Sequence, residues 1–214
     1  IERSAVTRLL VLVNVLAFAY EILTTHGGIL SGNVTNIALV NDGALVPFLV
    51  TQDGQWWRII SSAFLHASII HIGVNMISLF SLGRFIETEL GSLRMTAIYA
   101  VSLVCAGLGA VYFSVPNVPT LGASGAIFGL FGALFAIGLK LGKPGMALIK
   151  ANIPLLVINL VLTFSVPMIS KQEHLAGLFA GFILTLLLFW PPKPVRARVV
   201  DARTGDEIES HFEA

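Results

Sequence analysis

One cysteine, Cys105, in 214 residues leaves no intramolecular disulfide to form, and charged side chains make up only 12% of the chain. With 56% hydrophobic residues and a mean hydropathy of +0.86, that scarcity of charge excludes a soluble domain of this size. There is no HExxH, since His66 and His71 are five apart with no glutamate between them, so a zinc metalloprotease helix is excluded. Asp42, Asp53, Asp201 and Asp206 all lie outside the apolar runs, which excludes an aspartyl pair within a membrane. No alternating ten-residue pattern marks a barrel, and no internal repeat marks a carrier.

What is there is a set of long apolar runs. A bilayer core takes about 20 residues per helix, and six stretches qualify: roughly 5–24, 62–82, 94–114, 121–141, 146–166 and 173–190. The expected fold is an all-α membrane protein, a bundle of six transmembrane helices covering residues 1–190. The first run carries Arg8 and lacks a clear small-x-small cleavage site, so it reads as a helix and not a signal peptide. With the amino terminus in the cytoplasm, eleven of the thirteen Lys and Arg residues fall inside and only Arg58 and Lys171 outside. That asymmetry predicts cytoplasmic termini at both ends. The 25–58 loop, with "ALVPFLV" and "QWWR", is expected to lie partly in the outer leaflet. Residues 191–214, opened by prolines, read as a polar cytoplasmic tail with weak or no fold.

An unpaired polar side chain in hydrocarbon costs several kcal/mol, so polar residues inside the runs need individual reasons. His66, His71 and Asn75 fall in the second run, Ser124 in the fourth and His174 at the head of the sixth. In this topology each of these runs enters from the outside, so all five residues share one depth band near the outer surface. Gly122, Gly125, Gly129 and Gly132 form one stripe and His174, Gly177 and Gly181 another; small residues so spaced let helices approach closely. The histidine would then come within reach of the serine. A hydroxyl nucleophile needs a base within about 3 Å and donors for the developing oxyanion. His174 is the expected base, Ser124 the nucleophile, and the Ser124 N–H with His71 and Asn75 the donors. Glu173 is turned about 100° from His174 on a helix, so a serine–histidine dyad is expected and not a triad.

Four pieces, "WR" (57–58), "HASIIHIGVN" (66–75), "GASG" (122–125) and "HLAGLFAG" (174–181), resemble the rhomboid intramembrane serine proteases, in that family's order and over about residues 5 to 190. The resemblance implies Ser124 as nucleophile, His174 as general base, and His71 with Asn75 as oxyanion donors. It further implies that His66 helps to hydrate the pocket and that the fifth span with the 167–172 loop forms a substrate gate. It implies substrates that are single-span membrane proteins, cut near the membrane surface at small residues in helices that unwind easily. Two departures are expected: Phe128 stands where relatives often carry tyrosine, and neither a seventh span nor a folded amino-terminal domain is read from these residues. Phe128 lies about 40° from Ser124 on the helical wheel, so a ring stacked on His174 is expected to survive while a hydroxyl is lost.

Each of these residues also has a bland explanation. Ser124 alone reads as a packing residue, Asn75 as a helix-joining hydrogen-bond donor, and His71 as the cap of its span. Gly129, Gly132 and Gly181 read as packing only, and Gly122 as either packing or room for a substrate backbone. Joint occurrence at one depth favours chemistry over these. A silent, client-binding relative and a histidine-using transporter or channel are the alternatives. No metal or organic cofactor is expected, nor any nucleic-acid partner; the partners are the lipid bilayer and membrane-embedded substrates. The compact six-span form and absence of a transit peptide suggest a prokaryotic inner membrane, with the site facing the extracytoplasmic side.

Overall fold

A computed structural model describes residues 4–31, 35–165, 170–191, 198–200 and 207–209. Among the described residues six long helices run through the chain: α1 Ala5–Thr24, α2 Ile69–Leu90, α3 Ser92–Phe113, α4 Ser124–Leu141, α5 Lys143–Ser165 and α6 Lys171–Leu188. The first five are long and apolar enough to cross a membrane. α6 opens on Lys171, Gln172, Glu173 and His174, and its apolar run begins only at Leu175.

α4 is the centre of the bundle, with 78% of its apolar window buried, whereas α5 is peripheral at 12%. Ile127, Leu130, Phe131 and Leu134 of α4 pack against Leu79, Leu82 and Ile86 of α2 and Met95 and Ile98 of α3. α4 and α6 meet backbone to backbone. A Cβ on Gly177 would fall 2.0 Å from the Gly125 carbonyl oxygen, and one on Gly132 would fall 2.1 Å from that of Leu178. Only glycine permits such an approach.

Two charged side chains close the end of the bundle away from Ser124. The Glu87 carboxylate, at the end of α2, accepts from the Val6 N–H at 3.0 Å, the Thr7 N–H at 2.9 Å and the Thr7 hydroxyl at 2.7 Å. It also accepts from Ser92 Oγ at 2.7 Å. An anion thereby satisfies orphan donors at the start of α1 and meets the positive end of its dipole. Lys140 of α4 donates to the carbonyls of Leu186 and Phe189 at the end of α6. Glu87→Gln replaces an acceptor of four hydrogen bonds by a group with one oxygen, and should cost about 1–3 kcal/mol. A lower thermal midpoint in detergent is the expected result; an unchanged midpoint would remove Glu87 from this account.

The 25–68 connection is not an open loop. It contains helical turns at Gly28–Ser31, Asn36–Asp42, Pro47–Gln52 and Arg58–Ser61, then a 3-10 turn at Ser62–Phe64. Buried Arg58 holds it together, donating to the carbonyls of Val40 at 2.7 Å and Ala44 at 2.8 Å and to Gln55 Oε1 at 2.6 Å. Trp56 and Trp57 are exposed.

Two expectations need adjustment. The second span was expected from residue 62, yet α2 begins at Ile69, because Ser68 caps it by accepting from the His71 N–H at 3.2 Å. His66 consequently precedes the helix instead of riding on it. Gly122 likewise precedes α4, with φ +130, so it belongs to the entry turn and not to the helical stripe. Within the 191–214 tail the described residues form one short antiparallel pair, β1 Arg198–Val200 with β2 Glu207–Glu209, where Val199, Val200 and Ile208 favour extended backbone. Of the 167–172 loop, residues 167–169 lie outside the described residues.

Candidate active site

Ser124 is the first residue of α4. The turn that delivers it uses Gly122 in the left-handed region, where a side chain would be strained and would stand 2.9 Å from His71 Nε2. That turn is anchored on both sides. Thr120 pairs with Leu45 of the long loop through reciprocal backbone bonds, and its hydroxyl donates to Glu173 Oε2 at 2.8 Å. The Glu173 carboxylate thus reaches the approach to Ser124 and not the neighbouring His174.

His174 sits in the first turn of α6, which Ser170 caps by accepting from the Glu173 N–H at 3.2 Å. Its Nε2 lies 2.6 Å from Ser124 Oγ, and both side chains are buried. The Phe128 ring stacks on the imidazole with centroids 4.1 Å apart and planes 12° from parallel. Stacking leaves the ring edge free to exchange protons while restricting rotation about Cβ. Gly177, one turn beyond His174, contacts the Gly125 carbonyl region and lets α6 come this close.

His71 and Asn75 are one turn apart on α2, and both are buried. The position a Cβ would take on Gly122 is 2.9 Å from His71 Nε2 and 3.5 Å from Ser124 Oγ, so the ring nitrogen and the hydroxyl flank the same small space. Among the described residues, His71 Nε2 and Asn75 Nδ2 have no hydrogen-bond partner. His71 Nδ1 accepts from the Ala67 N–H at 3.5 Å, which leaves Nε2 as the ring's donor. Unpartnered buried donors are rare and call for an explanation; donors next to a nucleophile can stabilise negative charge that develops beside it. His66 is wholly buried behind His71, edge-on to it at 5.1 Å, and among the described residues neither of its ring nitrogens has a hydrogen-bond partner. Its backbone N–H is held by the Glu21 carboxylate of α1 at 3.0 and 3.1 Å.

The site therefore draws together Ser124, His174, His71, Gly122, Phe128 and Gly177, with Asn75 one turn from His71 and His66 in a layer behind. Sequence reasoning missed Thr163 of α5, whose Oγ1 lies 2.9 Å from His174 Nδ1. It considered buried polar residues only in the even-numbered spans, whereas Asn14 and Glu21 of α1, Ser102 of α3 and Asn159 and Thr163 of α5 are buried as well. Asn159 and Thr163, four apart in an apolar run, are the signal that was available.

A model of the rhomboid domain matches residues 53–191. The rhomboid protease GluP of Bacillus subtilis is 36% identical over 164 residues, covering 76% of this chain and 32% of GluP. The putative rhomboid protease YdcA of the same organism is 35% identical over 140 residues, 65% of this chain and 70% of YdcA. The inactive RHOMBOID-like protein 8 of Arabidopsis thaliana is 30% identical over 147 residues, 67% of this chain and 41% of that protein. The chain thus spans about a third of GluP and most of YdcA, and membership alone does not decide activity. With the rhomboid domain running from the end of the long loop through α6, this integral membrane protein belongs to the rhomboid family.

Proposed function

We propose that the chain is an intramembrane serine endopeptidase that cuts single-span membrane proteins near the outer membrane surface. The observation that carries this reading is the 2.6 Å contact between Ser124 Oγ and His174 Nε2 in a buried pocket. Ser124 Oγ attacks the scissile carbonyl carbon while its proton passes to Nε2. The carbonyl oxygen becomes an oxyanion, received by the Ser124 N–H, His71 Nε2 and Asn75 Nδ2. As the C–N bond breaks, the imidazolium returns the proton to the leaving amine, and an acyl-enzyme remains. Water attacks the acyl carbon, giving one proton to His174, and collapse of the second oxyanion frees the acid and restores the serine hydroxyl. His66, with two unpartnered ring nitrogens, would hold the water this second half needs. The chemistry asks for no metal or cofactor.

In this reading all six helices span the bilayer, residues 1–190 form the catalytic domain, and both termini, including the 191–214 tail, are cytoplasmic. Ser124 and His174 then open toward the extracytoplasmic face of a prokaryotic inner membrane. The lateral entrance would lie beside the peripheral α5. Phe128 in place of tyrosine keeps the stacking surface and tunes activity without abolishing it.

The test is a fluorophosphonate probe on purified protein in detergent, read beside substrate cleavage. Labelling at Ser124 that disappears in His174→Ala is expected. Asn75→Ala should slow cleavage by about 10²-fold, the usual loss for one oxyanion donor, with folding intact by circular dichroism. Labelling indifferent to His174→Ala would instead favour a silent client-binding protein, as in the relative named inactive, or a transporter.

A further inference from the structure

Burial leaves every polar atom of the site accountable, and one contact is not used by a two-residue mechanism. Thr163 Oγ1, on α5, lies 2.9 Å from His174 Nδ1 and also donates to the Asn159 carbonyl at 2.7 Å. A hydroxyl has one proton and a carbonyl can only accept. With the Thr163 proton on Asn159 O, the oxygen turns a lone pair toward Nδ1, and the contact is a hydrogen bond only if Nδ1 carries the proton. A neutral imidazole has one N–H, so Nε2 is then bare and takes the Ser124 hydroxyl proton at 2.6 Å. In the other tautomer Thr163 must leave Asn159 O to donate to Nδ1, and Nε2–H would point at the serine oxygen as a donor. That arrangement loses a hydrogen bond and cannot accept the serine proton.

We propose that Thr163 is the positioning residue of His174, holding the ring proton on Nδ1 and so keeping Nε2 ready to act as base. It does neutrally what a carboxylate does in serine hydrolases with a third member. The support continues outward. Asn159, the acceptor that directs the Thr163 proton, is itself buried and fixed through its side-chain amide to Ser78 Oγ of α2 at 2.8 Å and to the Leu155 carbonyl at 2.8 Å. Orientation of a base on α6 therefore depends on α5 being seated against the bundle, although α5 is the helix least buried in it.

The role assigned to Thr163 rests on reading Ser124 and His174 as a catalytic pair, and its test separates the two. Nitrogen-15 histidine spectra in detergent micelles, assigned with His174→Ala, should show His174 neutral with the proton on Nδ1 in the wild type and equally in Ser124→Ala. Thr163→Val, close in shape but without the hydroxyl, should show the Nε2–H form or a mixture. In liposomes Thr163→Val should lower kcat about tenfold, the low end of losses for an orienting partner, with KM within about twofold. Thr163→Ser should recover at least a third of the wild-type kcat. A wild-type proton on Nε2, or a Thr163→Val enzyme as fast as wild type, or a serine variant as slow as the valine one, would overturn the proposal. Should Thr163→Val not fold, the wild-type tautomer and the serine variant decide it. If the wild type neither labels with fluorophosphonate nor cleaves, the catalytic reading fails, and the tautomer still decides what Thr163 does.

Discussion

Ser124→Ala is expected to reduce cleavage of a single-span substrate in liposomes by on the order of 10⁴- to 10⁶-fold, the range seen when a hydrolase nucleophile is removed. The size follows from geometry, because among the described residues no other hydroxyl contacts His174 Nε2, and Thr163 meets the opposite edge of the ring. The fold should survive. Among the described residues the Ser124 side chain makes one hydrogen bond, to His174, and its loss leaves a single ring nitrogen unpartnered at about 1–3 kcal/mol. The expected result is thus a protein with unchanged helical circular dichroism, slightly lower thermal stability, and no fluorophosphonate labelling. Residual cleavage above about 1% of wild type would mean that the nucleophile is elsewhere.

The second large effect is on folding. Gly181→Val would set a Cβ 2.0 Å from the Gly129 carbonyl oxygen, 2.5 Å from its carbon and 2.7 Å from its Cα. These are backbone atoms of the most buried helix, which cannot swing aside as a side chain would. Relief requires α6 to withdraw from α4 by more than an ångström, and the reciprocal contacts of Gly177 with Gly125 and of Gly132 with Leu178 would open with it. A loss of at least about 3 kcal/mol is expected, at the severe end of single substitutions. His174 lies seven residues before Gly181, about 10 Å along the axis, so the same withdrawal lengthens the contact with Ser124. Gly181→Val should therefore be protease-sensitive in detergent and lose probe labelling together with its melting transition. Gly181→Ala should fall between it and wild type. A valine variant that melts like the wild type would show that α4 and α6 are not interlocked through their backbones.

The two results bear on different layers of the molecule, and those layers were unequally legible. The apolar runs are visible because hydrocarbon demands about 20 such residues per crossing, and α1, α3, α4 and α5 start within about three residues of the expected positions. The start of α2 was misjudged by seven residues because Ser62–Leu65 continues the apolar pattern. There hydropathy reports burial, and the Ser68 cap decides where the helix begins. The glycine spacing was readable as close packing, but only the tertiary structure shows that α6 meets α4 at Gly181 with Gly129 and at Gly177 with Gly125.

For the site, the amino-acid order alone singled out the residues proposed to carry chemistry: a serine, histidines and an asparagine within apolar runs, where an unpaired polar group is costly. It also determined that glycines would let two of the helices touch. The tertiary structure decided which atoms meet, because contact between helices depends on rotation and separation that no periodicity encodes. Hence it alone brings Thr163 to His174 Nδ1 and Nε2 to Ser124, turns Glu173 to Thr120, and leaves His71 Nε2 and Asn75 Nδ2 without partners among the described residues.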